Sequence, residues 1–161
     1  VLQNEGAGLV DAIESHLKET TIKQLKALYG SNWEYEIGTI KRECQIRADQ
    51  ENEQNYREGL GGKKVHWTEK FTISDYKNII TKKWTAVPKG ENHDESFIPF
   101  EQMFSINIDG GDTRSDRTKW LSYLNSYRKK IAHRGTIGVG LSLDEVEFLK
   151  MVTKKLNIQA D

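Results

Sequence analysis

The stretch from residue 112 to residue 135, DTRSDRTKWLSYLNSYRKKIAHRG, decides the fold more than any other part of this chain. Its large apolar side chains recur every three or four residues, which is the spacing of one face of an α-helix. Asp112 or Thr113 is suited to open that helix, and Arg134–Gly135 to end it. The apolar face of this predicted helix consists of Trp120, Leu121, Leu124, Tyr127 and Ile131.

The N-terminal half repeats the same period twice. Residues 7 to 29 predict one amphipathic helix, and Gly30 follows it where a helix stop is expected. A second helix is predicted from Trp33 to Glu58, and its apolar side contains the only cysteine, Cys44, which we expect to be an inert core residue.

The remaining segments predict shorter helices and loops. Residues 59 to 73 are expected to form a loop, or a short strand at 65–67, and Trp67 is the best candidate for an exposed aromatic side chain. Ser74 and Pro99 are expected to stand at helix starts. Ser142 and Glu145 have the spacing of a capping box before a final helix.

Together these patterns predict an all-α fold, an up-and-down bundle of about five to six helices. The chain has 161 residues, which favours a single domain over 1–161. Because it begins with Val1 rather than Met, we expect it to be a fragment of a larger protein or a processed product.

Composition excludes several classes of protein. No stretch approaches eighteen consecutive apolar residues, so no membrane span is expected. One cysteine cannot form an intramolecular disulfide, and no residues have the spacing of a metal site, so we expect no metal and no cofactor. The absence of a signal sequence favours an intracellular, cytoplasmic protein.

The charge is balanced overall but not along the chain. Lys plus Arg and Asp plus Glu both number 24, yet 113–135 has seven basic residues and only one acid, Asp116. Such a helix can attract phosphate groups. It can equally be a solvated face, or one paired with the acidic helix 33–58. The basic residues are Arg114, Arg117, Lys119, Arg128, Lys129, Lys130 and Arg134.

The chemistry-bearing pattern is Arg128 followed five residues later by His133, close to a helix end. On a helix these two side chains are about 140° apart, and arginine is long enough to reach around to a shared site. Asn125 and Arg128 lie along one face with Ala132, and the small Ala132 lets another helix approach closely. Alternatively, His133 only caps the helix C-terminus.

The run LNSYRKKIAHRG at 124–135 resembles the Arg-x4-His motif helix of the HEPN superfamily, and FTISDYKNII at 71–80 is similar to a middle helix of such domains. The resemblance implies an all-α domain that forms a homodimer through the 113–133 helix. It also implies an intracellular toxin–antitoxin or antiviral defence setting. One departure is Lys129, which stands where the family commonly has a small polar residue.

What this resemblance implies is a metal-independent endoribonuclease. The ribose 2′-OH would attack the adjacent phosphate and leave a 2′,3′-cyclic phosphate. His133 would be the general acid or base, and Arg128 would stabilise the developing charge. The candidate RNA-binding or supporting residues are Asn125, Tyr127, Lys129, Lys130, Arg134, Arg114, Arg117 and Lys119.

Two other functions remain open. The first is a non-catalytic module that dimerises or docks onto a partner, because superfamily members without catalysis serve in RNA binding or assembly. A generic nucleic-acid-binding bundle would use Arg114, Arg117 and Lys119 as much as His133, and its binding would weaken steeply with salt.

Overall fold

A computed structural model describes residues 2–90, 94–137 and 140–158, and within those ranges its regular structure is helical with no β-strand. This confirms the predicted all-α class. The α-helices are α1 (Leu2–Tyr29), α2 (Gly38–Arg57), α3 (Ile73–Lys82), α4 (Phe100–Phe104), α5 (Arg114–Ile137) and α6 (Leu143–Lys155). Two 3-10 helices span Gly30–Ile37 and Trp67–Lys70.

The long helix α1 runs through the middle of the bundle and packs against α3, α5 and α6. Its inner face is apolar, and α5 contributes the bulkiest buried group, Trp120. Each fully buried large apolar side chain stabilises the fold by roughly 1.5–3 kcal/mol, because folding removes its apolar surface from water. The fully buried apolar residues of α1 and α5 are Val10, Ile13, Leu17, Leu25, Trp120, Leu121 and Leu124.

Helix α5 begins where the sequence predicts and ends later. The Thr113 hydroxyl accepts a hydrogen bond from the Asp116 backbone N–H at 3.1 Å, and the Asp116 carboxylate accepts one from the Thr113 N–H at 3.2 Å. This reciprocal pair satisfies free donors of the first turn. The helix continues to Ile137, because a single glycine at 135 costs a helix only about 1 kcal/mol.

The starts of α3 and α6 illustrate a wrong and a confirmed prediction. Ser142 and Glu145 form the predicted capping box of α6. At α3 the N-cap is Thr72, not Ser74, because Thr72 and Asp75 form the capping box two residues earlier. Pro99 is the N-cap of the short α4 rather than its first helical residue.

The expectation of an exposed Trp67 is wrong. Its ring is 5% exposed and stacks on Trp33 with 5.8 Å between ring centroids, while Phe71 meets its edge. The prediction rested on the lysines next to Trp67 in the sequence. The segment forms a 3-10 turn rather than a strand, and this turn directs the Trp67 side chain inward against α2 and the Gly30–Ile37 helix.

Cys44 is buried, as expected. Burial, and then the nearby Asp75 carboxylate, raise the pKa of its thiol to about 11, so it is protonated at neutral pH. In the described ranges no helix is both long enough and apolar enough to cross a bilayer.

Candidate functional site

The C-terminal half of α5 carries the predicted site, and Arg128 stands on its inner face. On that face Leu124 and Leu121 are buried one and two turns earlier. Arg128 continues this face toward α1, where its Nη1 lies 3.1 Å from Asp11 Oδ1 and its Nε lies 3.0 Å from Glu14 Oε1. The guanidinium therefore links α5 to α1 through two carboxylates, and its side chain remains 42% exposed.

Glu14 is the more buried of these two carboxylates. Burial raises the pKa of Glu14 above its usual value, Arg128 opposes that rise, and the neighbouring Asp11 adds to it. Because burial and Asp11 together outweigh Arg128, the ionised form of Glu14 is less favourable in the folded chain than in water.

His133 lies on the solvent side of α5 and is exposed. A separation of five residues turns it about 140° from Arg128 around the helix axis. Within the described part of the chain its ring makes no hydrogen bond or ion pair. A single chain therefore holds Arg128 against α1 and leaves His133 free, and no contact brings the two side chains together.

An outer face of α5, which we define as Ser122, Ser126, Lys129 and His133, follows helical spacing of four, three and four residues. All four side chains are exposed. Among the described residues, no carboxylate pairs with Lys129 or His133. This face thus presents hydroxyls, an ammonium and an imidazole to solvent.

Three of the six other basic residues of α5 form ion pairs among the described residues. Their partners lie on α6 and in the loop before α5, and not on the acidic helix 33–58. Ion pairing lowers the availability of these groups for phosphate. The pairs are Arg117 with Asp112 at 3.2 Å, Lys119 with Asp109 at 2.9 Å, and Lys130 with Glu145 at 2.7 Å.

The remaining predicted residues have distinct places. Arg114 donates from Nη1 to the Thr81 carbonyl at 3.1 Å, which ties α5 to α3. Tyr127 packs edge-on against Phe148 of α6, with 5.7 Å between ring centroids. Of Arg134 the structure describes only the helical backbone.

Asn125 belongs to a polar contact that the sequence does not predict. Its side-chain amide donates to Ser74 Oγ at 3.3 Å, and one turn away Lys77 Nζ donates to Ser122 Oγ at 2.7 Å. Ser74 and Lys77 lie on α3, 45 to 51 residues before their partners Ser122 and Asn125. No local pattern in the sequence joins residues at this separation.

The pKa shifts of Glu14 and Glu145, which both contact α5, have opposite directions. Replacing each with glutamine should therefore change the free energy of unfolding in opposite directions. Glu14→Gln should raise the free energy of unfolding at neutral pH. The pKa of Glu14 is raised in the folded chain, so the stability that protonated Glu14 contributes is lost as the pH rises through and above 4.5. Glu145→Gln should lower the free energy of unfolding at neutral pH. Burial alone would raise the pKa of Glu145, but hydrogen bonds from Lys130 and Ser142 hold it below 4.5.

Urea unfolding of both variants and the parent chain, at pH 7 and at a pH below 4, provides the measurement. The difference between each variant and the parent should shrink as the pH falls below 4.5 and the glutamates become protonated. The same sign for the two substitutions at pH 7 would contradict the arrangement.

Comparison with protein-family models, curated proteins and solved structures finds no match for this chain.

Proposed function

We propose that the chain is a metal-independent endoribonuclease domain in which His133 transfers the proton and Arg128 stabilises the charge. The observation that best supports the proposal is His133 itself, an exposed imidazole without a hydrogen-bonding partner among the described residues, beside the unpaired Lys129. A histidine kept as a core group has its ring packed among other side chains, and the exposure of His133 excludes that role.

The proposed reaction needs only groups of this chain and the RNA. The ribose 2′-oxygen attacks the adjacent phosphorus while a base accepts its proton, and the bond to the 5′-oxygen breaks as that oxygen gains a proton. Imidazole suits either proton transfer because its usual pKa lies near neutrality. A guanidinium offers a planar set of N–H donors to the phosphorane oxygens.

Arg128 must become available for this role. In one chain it is held by Asp11 and Glu14, about 140° around the axis from His133. In the proposed homodimer, α5 helices of two copies lie side by side, so that a shared cleft receives these side chains from both copies. Ser126 on the outer face is small, which suits close approach of a second helix.

The test is cleavage of mixed-sequence RNA in EDTA, with analysis of the product ends. We expect the parent chain to leave 2′,3′-cyclic phosphate ends. We expect His133→Asn to lower the rate at least about 100-fold, the loss typical of removing a general acid or base.

His66→Asn is the matched control. His66 is also exposed, and its Nδ1 accepts a hydrogen bond from the Thr68 backbone N–H, a capping role that asparagine can take over. Its cleavage rate should equal that of the parent chain. Failure of the parent chain to cleave, or equal rates for His133→Asn and His66→Asn, would contradict the enzyme proposal.

A non-catalytic module that dimerises or docks onto a partner is the second candidate, and the double ion pair of Arg128 favours it. The Arg128 guanidinium of α5 binds two carboxylates of α1, and this contact joins the two helices without any substrate. A stable dimer that leaves RNA intact would support this candidate. The pairing of Arg117 and Lys119 with aspartates argues against a third candidate, a generic basic RNA-binding helix.

A further inference from the structure

A polar cavity of about 340 Å³ opens between α3 and α5. Two buried apolar side chains, Ile73 and Leu121, contribute to its wall. The other lining residues are polar, and none of the described residues that line it is acidic. These polar residues are Ser74, Lys77, Asn78, Ser122 and Asn125.

Among the described residues of this lining, Lys77 is the only charged one. Its ammonium donates to Ser122 Oγ at 2.7 Å, and no carboxylate within the described ranges forms an ion pair with it. An ammonium has three N–H donors, so two remain for a ligand. By contrast, Lys83, also on the α3 side of the bundle, donates to Glu36 at 2.9 Å.

We propose that this cavity binds a phosphate group of the RNA backbone, and this inference rests on the proposed function. A phosphodiester has one negative charge and accepts several hydrogen bonds. The cavity matches it with one cation and neutral donors. The Asn78 amide makes no side-chain hydrogen bond among the described residues, and the Asn125 amide uses one of its two N–H groups on Ser74.

The position of the cavity fits a strand that also reaches His133. Asn125 and His133 are eight residues apart on α5, which is about 12 Å along the axis. Lys129 lies midway between them and has no ion pair within the described ranges. A single strand along this edge therefore meets Lys77, then Lys129, then the imidazole, without passing a carboxylate of the cavity lining.

Binding of a short 2′-O-methyl oligoribonucleotide of mixed sequence tests the inference, because this probe lacks the nucleophile and cannot be cleaved. We expect Lys77→Gln to weaken its binding several-fold and to reduce the slope of log affinity against log salt by about 0.7, the value for one phosphate contact with a single strand. Glutamine keeps a donor for Ser122 and removes only the charge.

Lys82→Gln is the matched control. Lys82 lies on the same helix, is exposed, has no ion pair among the described residues, and lines a different cavity with Glu36. Lys82→Gln removes the same charge outside the α3–α5 cavity, so the slope of log affinity against log salt should equal that of the parent chain.

The outcomes separate this inference from the proposed function. Equal salt slopes for Lys77→Gln and Lys82→Gln, or no probe binding by the parent chain, would overturn the cavity as a phosphate site, whatever the cleavage assay gives. A selective effect of Lys77→Gln supports it even where the parent chain fails to cleave RNA, in which case only the catalytic proposal is lost.

Discussion

Replacing Trp120 with alanine is expected to destabilise the domain by about 3–5 kcal/mol, the range for truncating a large aromatic side chain in a core. Trp120 is fully buried in the N-terminal half of α5, and its indole Nε1 donates to the Phe104 carbonyl at 2.8 Å. The substitution leaves a cavity and also removes the donor from a buried carbonyl, which adds to the cost. Urea or thermal unfolding measures the loss.

Trp120→Phe separates the two contributions. It keeps most of the aromatic volume beside Phe104 but loses the hydrogen bond, so its cost should fall between those of the parent chain and Trp120→Ala. A Trp120→Ala variant with a free energy of unfolding within about 1 kcal/mol of the parent chain would contradict the packing of α5 against α4. Truncating a fully buried tryptophan typically costs about 3–5 kcal/mol.

Replacing Asp75 with alanine is the second large expected effect, a loss of about 2–4 kcal/mol. Asp75 is 6% exposed and its Oδ2 accepts from the Thr72 backbone N–H at 2.9 Å, which closes the capping box of α3. The same oxygen lies 3.5 Å from Arg47 Nη1 of α2. Alanine therefore opens the helix start and also removes the link between α2 and α3.

Asp75→Asn retains an oxygen that can accept from the Thr72 N–H but carries no charge. Its unfolding free energy should therefore lie between those of the parent chain and Asp75→Ala. Equal stability of the alanine variant and the parent chain in urea unfolding would show that neither the cap nor the contact with Arg47 contributes. Thr72→Ala provides an independent measure, since it removes the other half of the same capping box.

The positions of the long helices followed from local patterns. Apolar spacing placed α1 and α5, and the Ser142–Glu145 capping box placed α6, because these signals act within a few residues and do not depend on distant contacts. Predictions failed where two local signals competed. Ser74 and Thr72 are both good N-caps, and only Thr72 has an acid three residues later.

The candidate site was predictable in part. The pattern at 124–135 marked Arg128, Lys129 and His133 as polar groups near the end of a helix, and the structure places all three on α5 with His133 exposed. The pattern did not indicate that Asp11 and Glu14 hold Arg128, since they lie 114 to 117 residues earlier in the chain. No local signal joins residues at such a separation.

Helix spacing and capping residues, which act over a turn or two, were sufficient to establish an all-α chain with an amphipathic helix at each end and a basic helix between. Long-range packing was needed to establish that Arg128 and Lys130 of that basic helix meet carboxylates of α1 and α6, whereas Lys129 meets none within the described ranges. The physical reason is that an ion pair depends on distances of a few ångströms in space, and residues far apart in sequence reach that distance only after the helices have packed.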